Sequence, residues 1–93
     1  MRLRRFWIAF VPGDQRVFAA GVGLGCGVTA FDVPDALAIV ALDVFGGAAV
    51  PEVARVVEDV DVSTLDAGHV LPNMSPPNAR GVWFPAAYSR SIR

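Results

Sequence analysis

The sequence predicts an α+β fold in which a small antiparallel-leaning sheet, in ββαββ order, carries one short apolar helix on a face. Two observations predict this class. Several segments rich in aromatic and β-branched residues are separated by turn residues. One other segment repeats apolar residues at helical spacing. The 93 residues fit one domain, residues 1–93, and we expect the tail to fray from about residue 88.

Alternating side chains and turn residues define the predicted strands. Residues 2–10 lack glycine and proline, and their alternation places Phe6, Ile8 and Phe10 on one face, which we expect to be the core face. The turn residues Pro12 to Asp14 follow. Residues 16–31 then form a second extended segment, best defined over 24–31, and residues 53–62 and 81–85 form the third and fourth strands.

The helix is the clearest local signal. Asp32 can cap the first free N–H groups, Pro34 is tolerated in the first turn, and Asp35 complements the positive end of the dipole. Gly46-Gly47 can close the helix in the left-handed conformation. The predicted core face consists of the apolar residues spaced at i, i+3, i+4 and i+7, namely Leu37, Val40, Ala41 and Val44.

Four glycines alternate with apolar residues before this helix, at positions 21, 23, 25 and 27. A dinucleotide site requires G-x-G-x-x-G opening directly into a helix, and a P-loop requires a following G-K-[ST]. Neither pattern is present. We therefore expect a strand whose bare glycine face lies close under the helix, or a flexible hairpin arm.

Composition limits the partners and the compartment. The net charge is −1, which argues against nucleic acid as a partner. The apolar runs are too short for a membrane span. Arginine without lysine, with abundant alanine, glycine and valine, indicates a GC-rich bacterial genome, and the lone Cys26 favours a reduced cytoplasmic location. The hydrophobic content of 54% exceeds the usual ~45–50% and predicts a protein partner or a homo-oligomer.

Two metal or catalytic motifs are incomplete, and we predict neither a metal nor a cofactor. The first is a catalytic pair of Cys26 as nucleophile and His69 as base. Nothing in the sequence brings these two side chains together. The calcium-loop pattern starting at Asp59 fails because Thr64 and Val70 stand where glycine and glutamate are required. A looser divalent-metal cluster remains an alternative, formed by Asp59, Asp61, Asp66 and His69.

The long segment of residues 63–80 is the best candidate for function, since long loops in small domains are commonly functional or disordered. Its apolar residues can anchor it on the core; these are Leu65, Val70, Leu71 and Met74. The predicted binding residues supply carboxylate, imidazole, amide, guanidinium and indole groups: Asp61, Asp66, His69, Asn73, Arg80 and Trp83. In the alternative interpretation, Asn and Asp only cap turns.

Three hypotheses of function follow. The first is a small non-enzymatic bacterial interaction module: a subunit, an inhibitor or an immunity-like partner. It is based on two observations: the short chain has more apolar residues than its own core needs, and its sequence shows no complete group of catalytic residues. The second is a small-molecule or metal-binding domain, possibly a hydrolase, that uses the 61–83 segment. A third, nucleic-acid binding through Arg2, Arg4, Arg5 and Trp7, is weak because the arginines divide between two strand faces.

Overall fold

A computed structural model describes residues 2–89 and shows an α+β fold with a four-stranded antiparallel sheet. The strands are β1 (Arg4–Phe10), β2 (Cys26–Ala30), β3 (Val53–Glu58) and β4 (Gly81–Phe84). The α-helices are α1 (Gln15–Ala20) and α2 (Val33–Asp43), and 3-10 turns lie at Val62–Thr64, Leu71–Asn73 and Ala86–Tyr88. The predicted class is confirmed, but the order of elements is βαβαββ rather than ββαββ.

The sheet has the order β3-β1-β2-β4, so β1 and β2 are central and β3 and β4 are the edges within residues 2–89. Each neighbouring pair is antiparallel. Phe6 pairs with Val28 of β2 on one side and with Glu58 of β3 on the other. The predicted core face of β1 is confirmed, because Phe6, Ile8 and Phe10 are all buried.

The predicted extended segment over residues 16–31 is wrong in its first half, which forms α1. The Asp14 carboxylate caps this helix by accepting a hydrogen bond from the Arg16 N–H at 2.8 Å. Gly21 ends it in the left-handed conformation with φ 76°. Val17 anchors α1 in the core at 6% exposure. Local hydrogen bonds therefore fix both ends of α1. Of the predicted extended segment, only residues 26–30 form a strand.

Helix α2 begins as predicted. The Asp32 carboxylate accepts a hydrogen bond from the Asp35 N–H at 2.8 Å. The helix ends at Asp43, and Gly46 and Gly47 adopt positive φ in the turn that follows. The predicted core face is confirmed in part: Val40 is buried, and Leu37 and Val44 pack on the core partly buried. The other fully buried residues of α2, Ala36 and Ile39, lie outside the predicted set.

Both faces of the sheet are covered. The helix-side core joins α1, α2 and the β1 face described above. The loop-side core lies on the opposite face and consists of Trp7, Val60, Val70, Trp83 and Phe84. The ring centroids of Trp7 and Trp83 lie 6.0 Å apart, and those of Trp7 and Phe84 lie 5.6 Å apart. Two cores, one on each face, account for much of the high apolar content.

Gly25, just before β2, and Gly27, within it, lie under this aromatic cluster and not under the helix. A Cβ on Gly25 would meet the Trp7 ring, and a Cβ on Gly27 would meet the Trp83 ring, both at less than 3.0 Å. The expectation that these glycines lie under the helix is therefore wrong. They make room for two indole rings that pack directly on the backbone.

The third strand is shorter than the predicted 53–62. It ends at Glu58 because Asp59 has a φ of 55°, a left-handed conformation that breaks the extended backbone. The Arg4 guanidinium holds this corner, with Nε donating to Asp59 at 3.0 Å and Nη2 donating to Glu58 at 2.8 Å. The chain then leaves the sheet and crosses the loop-side face.

Of the tail for which we predict fraying from about residue 88, the structure describes only Tyr88 and Ser89. Tyr88 ends a 3-10 turn, and its hydroxyl donates a hydrogen bond to the Ala20 carbonyl at 2.7 Å. Residues 90–93 lie outside the described residues. Within residues 2–89, neither α-helix has the length and apolarity that a membrane crossing requires.

Candidate functional site

The segment between β3 and β4 is held against the sheet at several points. Three hydrogen bonds tether its C-terminal half: the Ser75 N–H donates to Trp83 O at 2.8 Å, and Pro77 O accepts from Thr29 Oγ1 at 2.7 Å and from Arg5 Nε at 3.3 Å. Val70 is buried in the loop-side core, and Leu65 and Met74 pack on it. The predicted anchoring by these three residues is confirmed.

Three of the predicted binding residues form a local network inside this segment. The Asp66 Oδ1 atom accepts hydrogen bonds from the Gly68 N–H at 2.7 Å and from the His69 N–H at 2.9 Å. The same atom lies 3.3 Å from His69 Nδ1. Asn73 Nδ2 donates to the His69 carbonyl at 2.8 Å. These contacts fold the turn that precedes Leu71–Asn73.

The other three predicted binding residues lie elsewhere. Asp61 caps the 3-10 turn Val62–Thr64, because Oδ1 accepts from Ser63 N–H at 3.0 Å and from Ser63 Oγ at 2.7 Å. Arg80 makes a two-pronged contact with Asp35 at the start of α2, with Nε donating at 3.0 Å. Trp83 lies in the loop-side core at 1% exposure. The six residues are therefore dispersed over two turns, a helix end and a core.

The electrostatics agree with turn bracing. Backbone hydrogen bonds from His69 and Gly68 lower the pKa of Asp66, and the hydroxyl and N–H of Ser63 lower the pKa of Asp61. Both carboxylates are therefore held ionised, as acceptors of local N–H and O–H groups. A general acid needs the opposite shift. The Arg80 guanidinium similarly lowers the pKa of Asp35.

The looser metal cluster is not assembled. Asp59 binds Arg4, Asp61 binds Ser63 and Asp66 binds its own turn, each with its carboxylate. Among residues 2–89, no three His, Cys, Asp or Glu side chains converge in a way that could hold a metal ion. The alternative of a metal site on these residues therefore finds no geometric support in the described part of the chain.

Cys26 and His69 lie on opposite faces of the sheet. Cys26 belongs to the helix-side core, and burial raises the pKa of its thiol to about 12. His69 lies on the loop that covers the other face, and its side chain is mostly exposed. The thiol is therefore neutral near pH 7 and has no imidazole partner in His69.

The predicted role of the 61–83 segment in binding stays a prediction, and Asp66→Ala, His69→Ala and Arg80→Ala test it. If these groups bind a partner, the substitutions should abolish association while the fold survives. The hydrogen bonds above favour bracing, so we expect lower melting temperatures and unchanged association of the folded fraction. Thermal melts and sedimentation of the same three proteins measure both quantities. Loss of association at an unchanged melting temperature would restore the binding role.

The most exposed large apolar side chain described lies on α1. Phe18 is 85% exposed, although it directly follows the buried Val17. Leu24, in the turn before β2, is 55% exposed. The predicted extended segment over residues 16–31 left no place for this feature. The sequence does contain a signal for a short helix. Asp14 can cap its beginning, and Gly21, seven residues later, can end it.

Helix α1 lies between two clefts. The first has a volume of about 430 Å³, and its lining includes Phe10, Pro12, Gly13, Val17, Phe18 and Gly23. The second has a volume of about 410 Å³, and its lining includes Ala19, Ala20, Val44, Phe45, Ala48 and Tyr88. Apolar side chains dominate both linings. We call α1, Leu24 and the first cleft the α1 surface.

Scans against models of known protein families, curated proteins and solved structures each found no match to this chain. The geometry of the molecule is therefore the basis of the functional argument below.

Proposed function

We propose that this domain is a non-enzymatic protein-interaction module, a subunit, inhibitor or immunity-like partner, that binds a protein through the α1 surface. The observation that carries the proposal is the 85% exposure of Phe18 on a helix that is capped at both ends. The two caps and the buried Val17 fix the backbone position from which this ring projects. Fixed aromatic side chains of this kind are the usual anchors of protein interfaces.

The size of the exposed apolar area supports this role. A phenylalanine side chain offers roughly 150–250 Å², so Phe18 leaves roughly 130–210 Å² of ring in water. Burying a side chain of this size is worth roughly 1.5–3 kcal/mol. Association costs at least about 4 kcal/mol in lost freedom, so the ring alone cannot hold a partner. The adjoining cleft offers additional apolar contact, and so does the exposed Leu24, which follows the cleft-lining Gly23 in the chain.

The location that fits this proposal is the cytoplasm. The chain has one cysteine, which lies buried and reduced in the helix-side core. A small domain whose core is built without disulfides suits a reducing compartment.

The test compares Phe18→Ser with Leu42→Ser, a matched control that removes an equally apolar side chain of 58% exposure from α2. The wild type and both variants, each tagged, are used to capture proteins from cells. Every captured protein is then purified, and its affinity for each of the three is measured by calorimetry. We expect a protein whose affinity falls at least about tenfold with Phe18→Ser and stays unchanged with Leu42→Ser. If no protein, this chain included, distinguishes the two variants, the proposal is wrong.

A further inference from the structure

We infer that residues 74–79 form a strap over the loop-side core, which opens reversibly and uncovers the indole of Trp83. The strap connects the 3-10 turn Leu71–Asn73 to Arg80, the residue before β4. It contains no helix or strand of its own. The inference is independent of the proposed function, because α1 packs on the other face of the sheet.

Hydrogen bonds hold the strap closed. Its backbone is joined to β4 by the bond from the Ser75 N–H to Trp83 O, and to β1 and β2 by the two bonds that Pro77 O accepts. Pro76 and Pro77 have no N–H group, so the strap cannot extend its pairing with β4 at these positions. Within the strap only Ser75 is buried. Few contacts therefore have to break when the strap leaves the sheet.

The chain on either side of the strap is anchored by contacts that the strap does not share. Before it, Asn73 Nδ2 donates to the His69 carbonyl at 2.8 Å. After it, the Arg80 guanidinium makes its two-pronged contact with Asp35 on α2. The middle can therefore open while both ends stay in place, so the opening is local and leaves the sheet folded.

The closed strap leaves two buried polar atoms unpaired. These are Ser75 Oγ and Trp83 Nε1, neither of which has a hydrogen-bond partner among residues 2–89. Ser75 is 2% exposed and Trp83 1%, so bulk water does not reach either atom. A buried polar group without a partner has lost its hydration, and it regains hydration on reaching water. The closed state is therefore penalised at the two residues that the backbone bond between strap and β4 joins.

Hydrogen exchange of the Trp83 indole N–H, followed by NMR, measures the opening. This proton is buried and has no acceptor among residues 2–89, so its exchange depends on access to water. The amides of the central strand β1 exchange through global unfolding and provide the reference. In the wild type we expect the indole proton to have a protection factor at least about tenfold below that of the β1 amides. It should not depend on urea at concentrations below the unfolding transition.

Three variants separate opening of the strap from a general loss of stability. Ser75→Ala removes the unpaired hydroxyl, so the indole proton should exchange at least about fivefold more slowly. Thr29→Val removes the bond to Pro77 O, so exchange should be about fivefold faster. Tyr88→Phe is the matched control, because it removes a hydroxyl-to-carbonyl hydrogen bond of the same 2.7 Å length on the other face of the sheet. Exchange in that variant should stay at the wild-type rate.

Three results overturn the inference. The first is exchange of the wild-type indole proton at the rate of global unfolding. The second is faster exchange in Ser75→Ala, which would mean that the hydroxyl is hydrogen-bonded in the closed state. The third is equal acceleration by Thr29→Val and Tyr88→Phe, which would mean that exchange follows the stability of the whole domain.

Discussion

Val40→Asp is expected to abolish folding of the domain at room temperature. Val40 is fully buried between α2 and the sheet, in the helix-side core. A carboxylate placed there loses its hydration without gaining a partner, which costs at least about 3–5 kcal/mol. Domains of this size have a total stability near the lower end of about 5–15 kcal/mol. Circular dichroism during heating should show no cooperative transition, or one at a much lower temperature.

The control for this substitution is Leu42→Asp on the same helix. Leu42 is 58% exposed, so an aspartate there keeps its hydration and should leave the melting temperature within a few degrees of the wild type. Each variant replaces a branched aliphatic side chain with aspartate, and the two positions are two residues apart. If Val40→Asp melted like Leu42→Asp, the assignment of that helix face to the core would be wrong.

The elements that the sequence predicted are those whose signals are local. The cap of α2 needs only Asp32 and the N–H groups that follow it, and the buried face of β1 needs only its own alternation. The exact buried face of α2 was not predictable to the residue. Ile39 and Leu42 are both apolar, and only the position of the sheet decides that Ile39 is buried and Leu42 exposed.

Helix α1 was missed because six residues provide fewer than two turns of periodicity. An isolated helix of that length is unstable in water, since nucleation costs more than so few hydrogen bonds return. It forms here because Val17 enters the core and Tyr88, from the far end of the described chain, donates a hydrogen bond to Ala20. Such long-range support leaves no mark in the local pattern. The exposure of Phe18 could not be foreseen without the helix.

The candidate binding loop illustrates a different limit. A carboxylate in a loop can serve a ligand or its own backbone, and residue type does not distinguish the two uses. Asp66 accepts from two backbone N–H groups within three residues, which depends on the turn that the chain makes around it. The sequence identified groups capable of binding. Only their geometry shows that local hydrogen bonds already use Asp61, Asp66 and Asn73.

The loop-side core was also not predicted from the sequence, although its most specific sign, the alternating glycines, was present. Glycine in a strand usually weakens it, so the alternation needs a physical reason. For Gly25 and Gly27 the reason is the pair of indole rings that pack on them, whereas Gly21 ends α1. The two tryptophans come from strands that are far apart in the chain. Nothing local to the glycines could indicate which side chains cover them.

Gly27→Ala is the substitution that tests this contact. A methyl group on Gly27 would lie within 3.0 Å of the Trp83 ring. That ring cannot move aside easily, because it is 1% exposed and packs 6.0 Å from the Trp7 ring, centroid to centroid. Overpacking of this kind costs about 1–3 kcal/mol or more. We expect a cost near the upper end and a fall in melting temperature of about 15 °C.

The control is Gly23→Ala, which differs only in its surroundings. A Cβ on Gly23 meets nothing within 4 Å, and its backbone does not require positive φ. Alanine there should leave the melting temperature unchanged or raise it slightly, because it restricts the unfolded chain. Near-ultraviolet circular dichroism adds a direct readout, since the Trp7–Trp83 pair should lose its fixed signal in Gly27→Ala alone. Equal stability of the two alanine variants would mean that Trp83 does not lie on Gly27, and the loop-side core would have to be assembled differently.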